Sequence, residues 1–255
     1  MMAVYEWKKV NFTNTRNQEL AGLFYTAGQK GSPTLIVCHG FTGSKEGGDK
    51  ALRMSEFFAQ ANYDTLLFDF AGNGDSQGEF EDLTLSGQVG DLKSAVDWCK
   101  RQGAGKIVTL GRSFGGTTVI CHAAEDKRVT AVCTWAAASR LMDLFTGLVD
   151  EDTDDPQKVM LAGDEGILYL KKTFFKDIES FNVPQMASRI NPTSMLIIHG
   201  TEDDVVSPDD AKLIFNAAQE PKKLVYIDGA DHQFETHTRQ VWEVCLNWLL
   251  EDQNV

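Results

Sequence analysis

No stretch of the chain stays apolar for the roughly 18–20 residues that a membrane-crossing helix needs. The opening residues, Met-Met-Ala-Val-Tyr-Glu-Trp-Lys-Lys, lack the basic-then-apolar layout of a secretory signal. The five cysteines (Cys38, Cys99, Cys121, Cys133, Cys245) are odd in number, far apart and without a C-x-x-C pair. Most stand in apolar segments, where a thiol acts as a small hydrophobe. No structural disulfides and a reducing, cytoplasmic setting are therefore expected. Positive charge is scarce too: 24 Lys and Arg stand against 37 Asp and Glu, a net charge of −13. The field of the whole chain repels nucleic acid and anionic membrane surfaces, so neither is an expected partner. An anionic substrate would need a local basic patch, and the sequence shows no obvious one. There is no internal repeat, and nothing sets an oligomeric state.

What is present is an alternation. Val4–Phe12 and Leu20–Tyr25 read as an opening hairpin. Short apolar runs of buried-strand type then recur at Thr34–Cys38, Thr65–Phe70, Lys106–Leu110, Val129–Ala136, Met195–His199 and Lys223–Ile227. Helical spacing separates them, at Lys50–Ala61, Leu85–Lys100, Thr117–Ala124, Pro208–Ala218 and from about Glu235 to Leu250. This is the pattern of an α/β domain with a mainly parallel sheet covered on both faces. Between Ser139 and Asn191 the alternation breaks. That segment is too long for a plain connection and reads as a lid. It carries an acidic run, Asp150–Asp155, read as a solvated loop because it lacks the glycine and spaced oxygens of a calcium loop. A helix-like aromatic piece follows around Tyr169–Phe175.

Gly111-Arg112-Ser113-Phe114-Gly115-Gly116 follows one of the strands and opens a helix. A serine between glycines at such a junction sits on a tight turn with its hydroxyl projecting from the sheet. The amides at the start of the next helix point at the same place. A serine hydroxyl needs a general base, and the base needs an orienting carboxylate. Of the five histidines, only His232 lies in a late strand-to-helix loop, Asp228-Gly-Ala-Asp-His-Gln-Phe234. His39 and His199 end strands, His122 lies in the helix after Ser113, and His237 falls within the last helix. The loop after Met195–His199 supplies Glu202, Asp203 and Asp204, of which Asp203 is chosen. In an open parallel sheet such loops meet at the carboxyl edge. The order Ser113, Asp203, His232 is that of nucleophile-elbow hydrolases. Gly40–Lys45 lacks the Gly-Lys-Ser/Thr ending of a phosphate loop, and Gly72-x-Gly74 is followed by Gln77 where a dinucleotide motif needs glycine.

On these segments the chain resembles the α/β-hydrolase family over nearly its whole length. Cys38-His-Gly-Phe-Thr-Gly43 is similar to the family's oxyanion loop, and Asp69-Phe-Ala-Gly-Asn-Gly-Asp-Ser76 to its D-x-x-G-x-G-x-S turn. His199-Gly-Thr-Glu-Asp203 and Gly229-Ala-Asp-His232 match the segments carrying acid and base. The wording is closest to bacterial feruloyl/cinnamoyl-type esterases. Two residues depart from it: Arg112 before the nucleophile, and Asn73 where a histidine is frequent. The resemblance implies an α/β-hydrolase fold of about eight strands, with residues 1–138 and 192–255 as core and 139–191 as lid. It also implies backbone N–H groups of Phe41 and Phe114 as the oxyanion hole, with His39 bracing the loop.

The expected chemistry is hydrolysis of a small-molecule ester through a serine acyl-enzyme, with no metal or organic cofactor needed. Substrate choice falls to the apolar lid, with Leu144, Phe145, Tyr169 and Phe174 as candidate contacts, and the Tyr169 hydroxyl as a partner for a phenolic acyl group. A thioesterase on the same triad and a non-catalytic ligand-binding protein on a hydrolase fold are the alternatives. A peptidase is less favoured, since nothing marks a site for a substrate amino terminus.

Overall fold

The apolar runs become the interior of one sheet because their side chains alternate between two covered faces. The computed structural model describes residues 6–29, 31–152, 155–163 and 166–252. In chain order these form β1 (Glu6–Thr13), β2 (Glu19–Thr26), β3 (Thr34–Cys38), α1 (Lys50–Ala59), β4 (Asp64–Phe68), a 3₁₀ turn (Phe80–Asp82), α2 (Leu85–Arg101), β5 (Ile107–Arg112), α3 (Phe114–Glu125) and β6 (Ala131–Trp135). An inserted segment follows, with α4 (Leu141–Gly147), β7 (Val149–Asp152), β8 (Lys158–Gly163), β9 (Gly166–Lys171), α5 (Thr173–Glu179) and α6 (Val183–Ala187). The chain then returns through β10 (Ser194–Gly200), α7 (Pro208–Ala217), β11 (Lys222–Ile227) and α8 (Thr238–Glu251).

Eight strands pair in the order β1-β2-β4-β3-β5-β6-β10-β11. From β4 to β11 every neighbour is parallel, and β2 alone runs the opposite way, antiparallel to both β1 and β4. Leu35, Val108, Leu110, Cys133, Leu196 and Ile198 point to α1 and α8, where they pack with Phe58 and Trp248. Their sequence neighbours Ile36, Ile107, Val132 and Ile197 point the other way, to α2, α3, α6 and α7. A fully buried aliphatic side chain of this kind contributes about 1.5–3 kcal/mol relative to exposure. The two-residue period thus accounts for both layers.

The inserted segment departs from the sequence reading. It contains a three-stranded antiparallel sheet, β7-β8-β9. The helix-like reading around Tyr169 is corrected: Tyr169 lies on β9, and the helix begins only at Thr173. A continuous apolar run carries no visible period, and strand pairing with β8 (Met160 opposite Tyr169) decided it. The acidic run is corrected as well, since Asp150–Asp152 belong to β7, held by backbone pairing with β8. Residues 153–154 of that run lie outside the described residues. The last helix starts at Thr238, with His237 as its cap residue rather than within it.

Candidate active site

Parallel strands bring the loops after β3, β4, β5, β10 and β11 to one edge. Ser113, between β5 and α3, has φ 54° and ψ −124°. A non-glycine residue held there costs on the order of 1–3 kcal/mol. Its N–H donates to the Trp135 carbonyl (2.8 Å) and its carbonyl accepts from the Thr117 N–H (3.1 Å), which fixes the turn. Glycine flanks it of necessity. A Cβ on Gly111 would stand 2.1 Å from the Gly115 oxygen, and one on Gly115 would stand 2.3 Å from the His39 oxygen.

His232 follows β11 and is buried, its Nδ1 2.8 Å from Asp203 Oδ2. A carboxylate only accepts, so Nδ1 carries a proton, and Nε2 is the nitrogen left to act as a base. Of the three acids after β10, Glu202 and Asp204 are exposed and Asp203 alone is buried. Asp203 Oδ1 accepts the N–H groups of Val205 (3.0 Å) and Val206 (2.8 Å). A second imidazole also reaches it. His199, at the end of β10 and fully buried, places Nε2 3.1 Å from Asp203 Oδ2 and 2.9 Å from the Val206 carbonyl. Both neighbours accept, so His199 Nε2 is the protonated nitrogen. Sequence reasoning gave His199 no role, and nothing in its surroundings signals one. Arg112 Nη1 donates to Gln233 Oε1 at 2.6 Å, tying the residue before Ser113 to the residue after His232.

Burial by itself raises the Asp203 pKa, but the hydrogen bonds from His199 and His232 outweigh it and hold the group well below its ordinary 3.8. A depressed folded-state pKa contributes stability that is complete above the unfolded value and is lost as pH falls through the folded one. Urea midpoints should therefore fall as pH drops below about 3.9, the value for an unfolded aspartate. The fall should be shallower in Asp203→Asn than in the wild type. Parallel curves would remove this role from Asp203.

The loop after β3 approaches from the other side. His39 Nε2 accepts the Phe70 N–H (3.2 Å), so its Nδ1–H donates to the Gly40 carbonyl (2.8 Å). Buried Lys45 anchors the loop further, with Nζ 2.8 Å from Asp69 Oδ2 and its own N–H donating to Asp69 Oδ1. Asp75 closes the same network, with Oδ2 2.7 Å from Lys45 Nζ and its N–H on Asp69 Oδ2. Asn73 Nδ2 donates to the Phe41 carbonyl at 3.4 Å. Among the described residues the Phe41 N–H makes no backbone hydrogen bond, and the Phe114 N–H, in the first turn of α3, has no helical acceptor behind it.

The rings of these two residues carry the inserted segment. Phe41 lies 5.9 Å from Phe114, 4.9 Å from Phe145 of α4 and 5.9 Å from Phe174 of α5, centroid to centroid. Phe145 and Phe174 are 4.7 Å apart and almost wholly buried. Leu144 is half-buried against the same core. Tyr169 stands apart on β9, 46% exposed. Phe174→Ala should destabilise the protein by about 3–5 kcal/mol, the usual cost of emptying a buried phenylalanine site. Denaturant unfolding would measure it.

Residues 12–161 match the model of the X-Pro dipeptidyl-peptidase (S15) family. The chain belongs to the X-Pro dipeptidyl-peptidase (S15) family. Its fold is that of the α/β hydrolases. Est1E from Butyrivibrio proteoclasticus, solved with ferulic acid bound, superposes with a TM-score of 0.85 at 24% identity, covering 95% of this chain and 98% of that one. The polyketide transferase ATR5 of Stachybotrys chlorohalonatus is 26% identical over 91% of each chain. Human mitochondrial palmitoyl-protein thioesterase ABHD10 is 26% identical, covering 78% of this chain and 66% of its own. Within this S15-family chain, the two departures noted in the sequence both touch the centre: Asn73 holds Phe41, and Arg112 holds Gln233. Among the described residues, no helix is long and apolar enough to cross a membrane, and all five cysteines are free and buried.

Proposed function

We propose that this S15-family protein is a serine hydrolase of carboxylic esters. The observation that carries the reading is the His232 Nδ1–Asp203 Oδ2 bond, on a loop tied through Gln233 and Arg112 to the strained Ser113 turn. His232 Nε2 takes the proton of Ser113 as Oγ attacks the ester carbonyl. Asp203 holds the imidazole and stabilises its cation. The tetrahedral oxyanion is received by the N–H groups of Phe41 and Phe114. Collapse breaks the ester C–O bond, the proton passes from His232 to the leaving alcohol, and an acyl-Ser113 remains. His232 then deprotonates water, which attacks the acyl carbon and releases the acid.

Esters fit better than X-Pro peptides, because the buried aspartates at this edge, Asp69, Asp203 and Asp210 among them, are already engaged, Asp210 by Arg140. Asp69 is held by Lys45 and Asp203 by two imidazoles, so none of the three is free to anchor a substrate amino terminus. The likeness to a palmitoyl-protein thioesterase keeps thioesters as the second reading. Free thiols, buried throughout, suit a reducing compartment such as the cytoplasm. Leu144, Phe145 and Phe174 stand where α4 and α5 meet the Phe41–Phe114 pair, and we assign them to the acyl side of the substrate. Exposed Tyr169 is assigned to a phenolic acyl group. Tyr169→Phe is expected to raise KM for methyl ferulate several-fold and leave short alkyl esters unchanged; equal effects on both would end that assignment.

The deciding experiment is a panel of methyl ferulate, nitrophenyl esters of graded acyl length and an acyl thioester, with Ser113→Ala as control. Ser113-dependent turnover of oxygen esters supports the reading. Preference for the thioester moves it to the second, and no turnover above the control removes both.

A further inference from the structure

A pocket of about 470 Å³ opens on the α1–α8 face of the sheet, beside the candidate triad but separate from it. Neither Ser113, His232, Phe41 nor Phe114 lines it. Its volume is that of a small-molecule site. Its charge is opposite to that of the chain. Lys45, Lys50 and Arg112 line it and no Asp or Glu does, in a protein with 37 acidic and 24 basic residues.

The charge of Lys45 is consumed by Asp69 and Asp75. That of Arg112 is not. Its guanidinium has five N–H donors and one acceptor, Gln233 Oε1, and among the described residues no carboxylate reaches ion-pair distance. Burial disfavours its charged form, and Asp203 offsets this only from a distance. A half-buried cation without a counter-charge favours an anion beside it. Lys50 opens α1 and likewise makes no ion pair among the described residues. The first turn of α1 holds no acidic residue, and Asp49 at its N-cap makes no side-chain cap hydrogen bond. The facing wall is apolar, with Met54, Val241 and Trp242. In the same wall the indole N–H of Trp135 is buried without an acceptor among the described residues.

We propose that this pocket is a second binding site, for a small amphiphilic carboxylate that sets its carboxylate on Arg112 and its apolar body against Met54, Val241 and Trp242. A planar carboxylate matches the guanidinium fork, and the apolar wall favours an organic acid over a bare inorganic anion. Occupancy would bear on catalysis through short links. A Cβ on Gly40 would lie 3.3 Å from Arg112 Nη2 and 3.5 Å from Ser113 Cβ. Gly40 precedes Phe41, and Gln233 follows His232. The acid that an ester hydrolase releases belongs to the class bound here, which makes the pocket a point of product feedback.

Binding is read without turnover, by calorimetric titration of octanoate into Ser113→Ala, with octanamide and inorganic phosphate as comparisons. Saturable one-to-one binding of octanoate is expected. Octanamide, phosphate and the Arg112→Gln variant should each bind about tenfold more weakly or worse, the usual scale for losing one charge-assisted contact. Ala51→Trp, which fills the pocket from α1, should abolish binding. If Arg112→Gln fails to fold, Arg112→Lys serves instead: it keeps the cation but not the planar fork, and its octanoate affinity should fall several-fold below wild type. Equal affinity for octanamide, indifference to Arg112→Gln, binding that survives Ala51→Trp, or no saturation at millimolar octanoate would each overturn the proposal. If the ester panel fails while this titration succeeds, the reading of the activity falls and the pocket stands.

Discussion

Replacing Ser113 by alanine is expected to lower kcat for a nitrophenyl ester by about 10⁶-fold, the scale seen when a serine nucleophile is removed from an intact triad. Rate over water should remain, because the oxyanion donors are main-chain groups that the substitution does not touch. Fluorophosphonate labelling should disappear with the hydroxyl. The fold should survive, since the turn is held by backbone bonds to Trp135 and Thr117 rather than by the side chain. The strain at φ 54° adds a second readout. Ser113→Gly should be as inactive as Ser113→Ala yet more stable by about 1 kcal/mol or more, because glycine accepts that backbone at little cost. An alanine variant with wild-type turnover would place the nucleophile elsewhere.

Gly115→Ala should be one of the most damaging single-methyl additions among the described residues. The new Cβ would sit 2.3 Å from the His39 oxygen and 2.4 Å from the Cys38 oxygen, both backbone atoms. No flexible side chain is available to move aside. Relief requires α3 to separate from the end of β3, the contact between the two segments that carry the proposed Phe114 and Phe41 donors. A cost above about 5 kcal/mol is expected, large against a total stability of about 5–15 kcal/mol. The measurement is soluble yield and unfolding midpoint. Any folded fraction should have lost turnover more than affinity, because oxyanion geometry acts in the transition state. A Gly115→Ala protein with a wild-type melting curve would contradict the close approach.

Several parts of this structure could be read residue by residue. The buried strands were visible because a two-faced sheet demands continuous aliphatic runs, as in Thr34–Cys38 and Met195–His199. The Ser113 turn was visible because local sterics demand glycine at 111 and 115. His232 was chosen by elimination among five histidines and Asp203 by its place just past a strand, and the structure joins the two by a hydrogen bond. The three-stranded sheet of the inserted segment was not visible. Its strands, such as Gly166–Lys171, are short and apolar without a clear period, so partner strands chose their conformation.

The sequence alone determined the order of the core elements and the tight turn at Ser113, since both follow from periodicity and from sterics within a few residues. Only the tertiary structure decided what surrounds that chemistry. His199 and His232 converge on one carboxylate, and Lys45 binds an aspartate 24 residues away. Arg112 meets Gln233 across 121 residues, and four phenylalanines from four segments close over the centre. The basic pocket belongs to the same group, assembled from the ends of β3 and β5 with α1 and α8 in a chain whose net charge is −13. Contacts of this kind depend on which strand lies beside which and on the twist that aims each loop. No local pattern of residues records either.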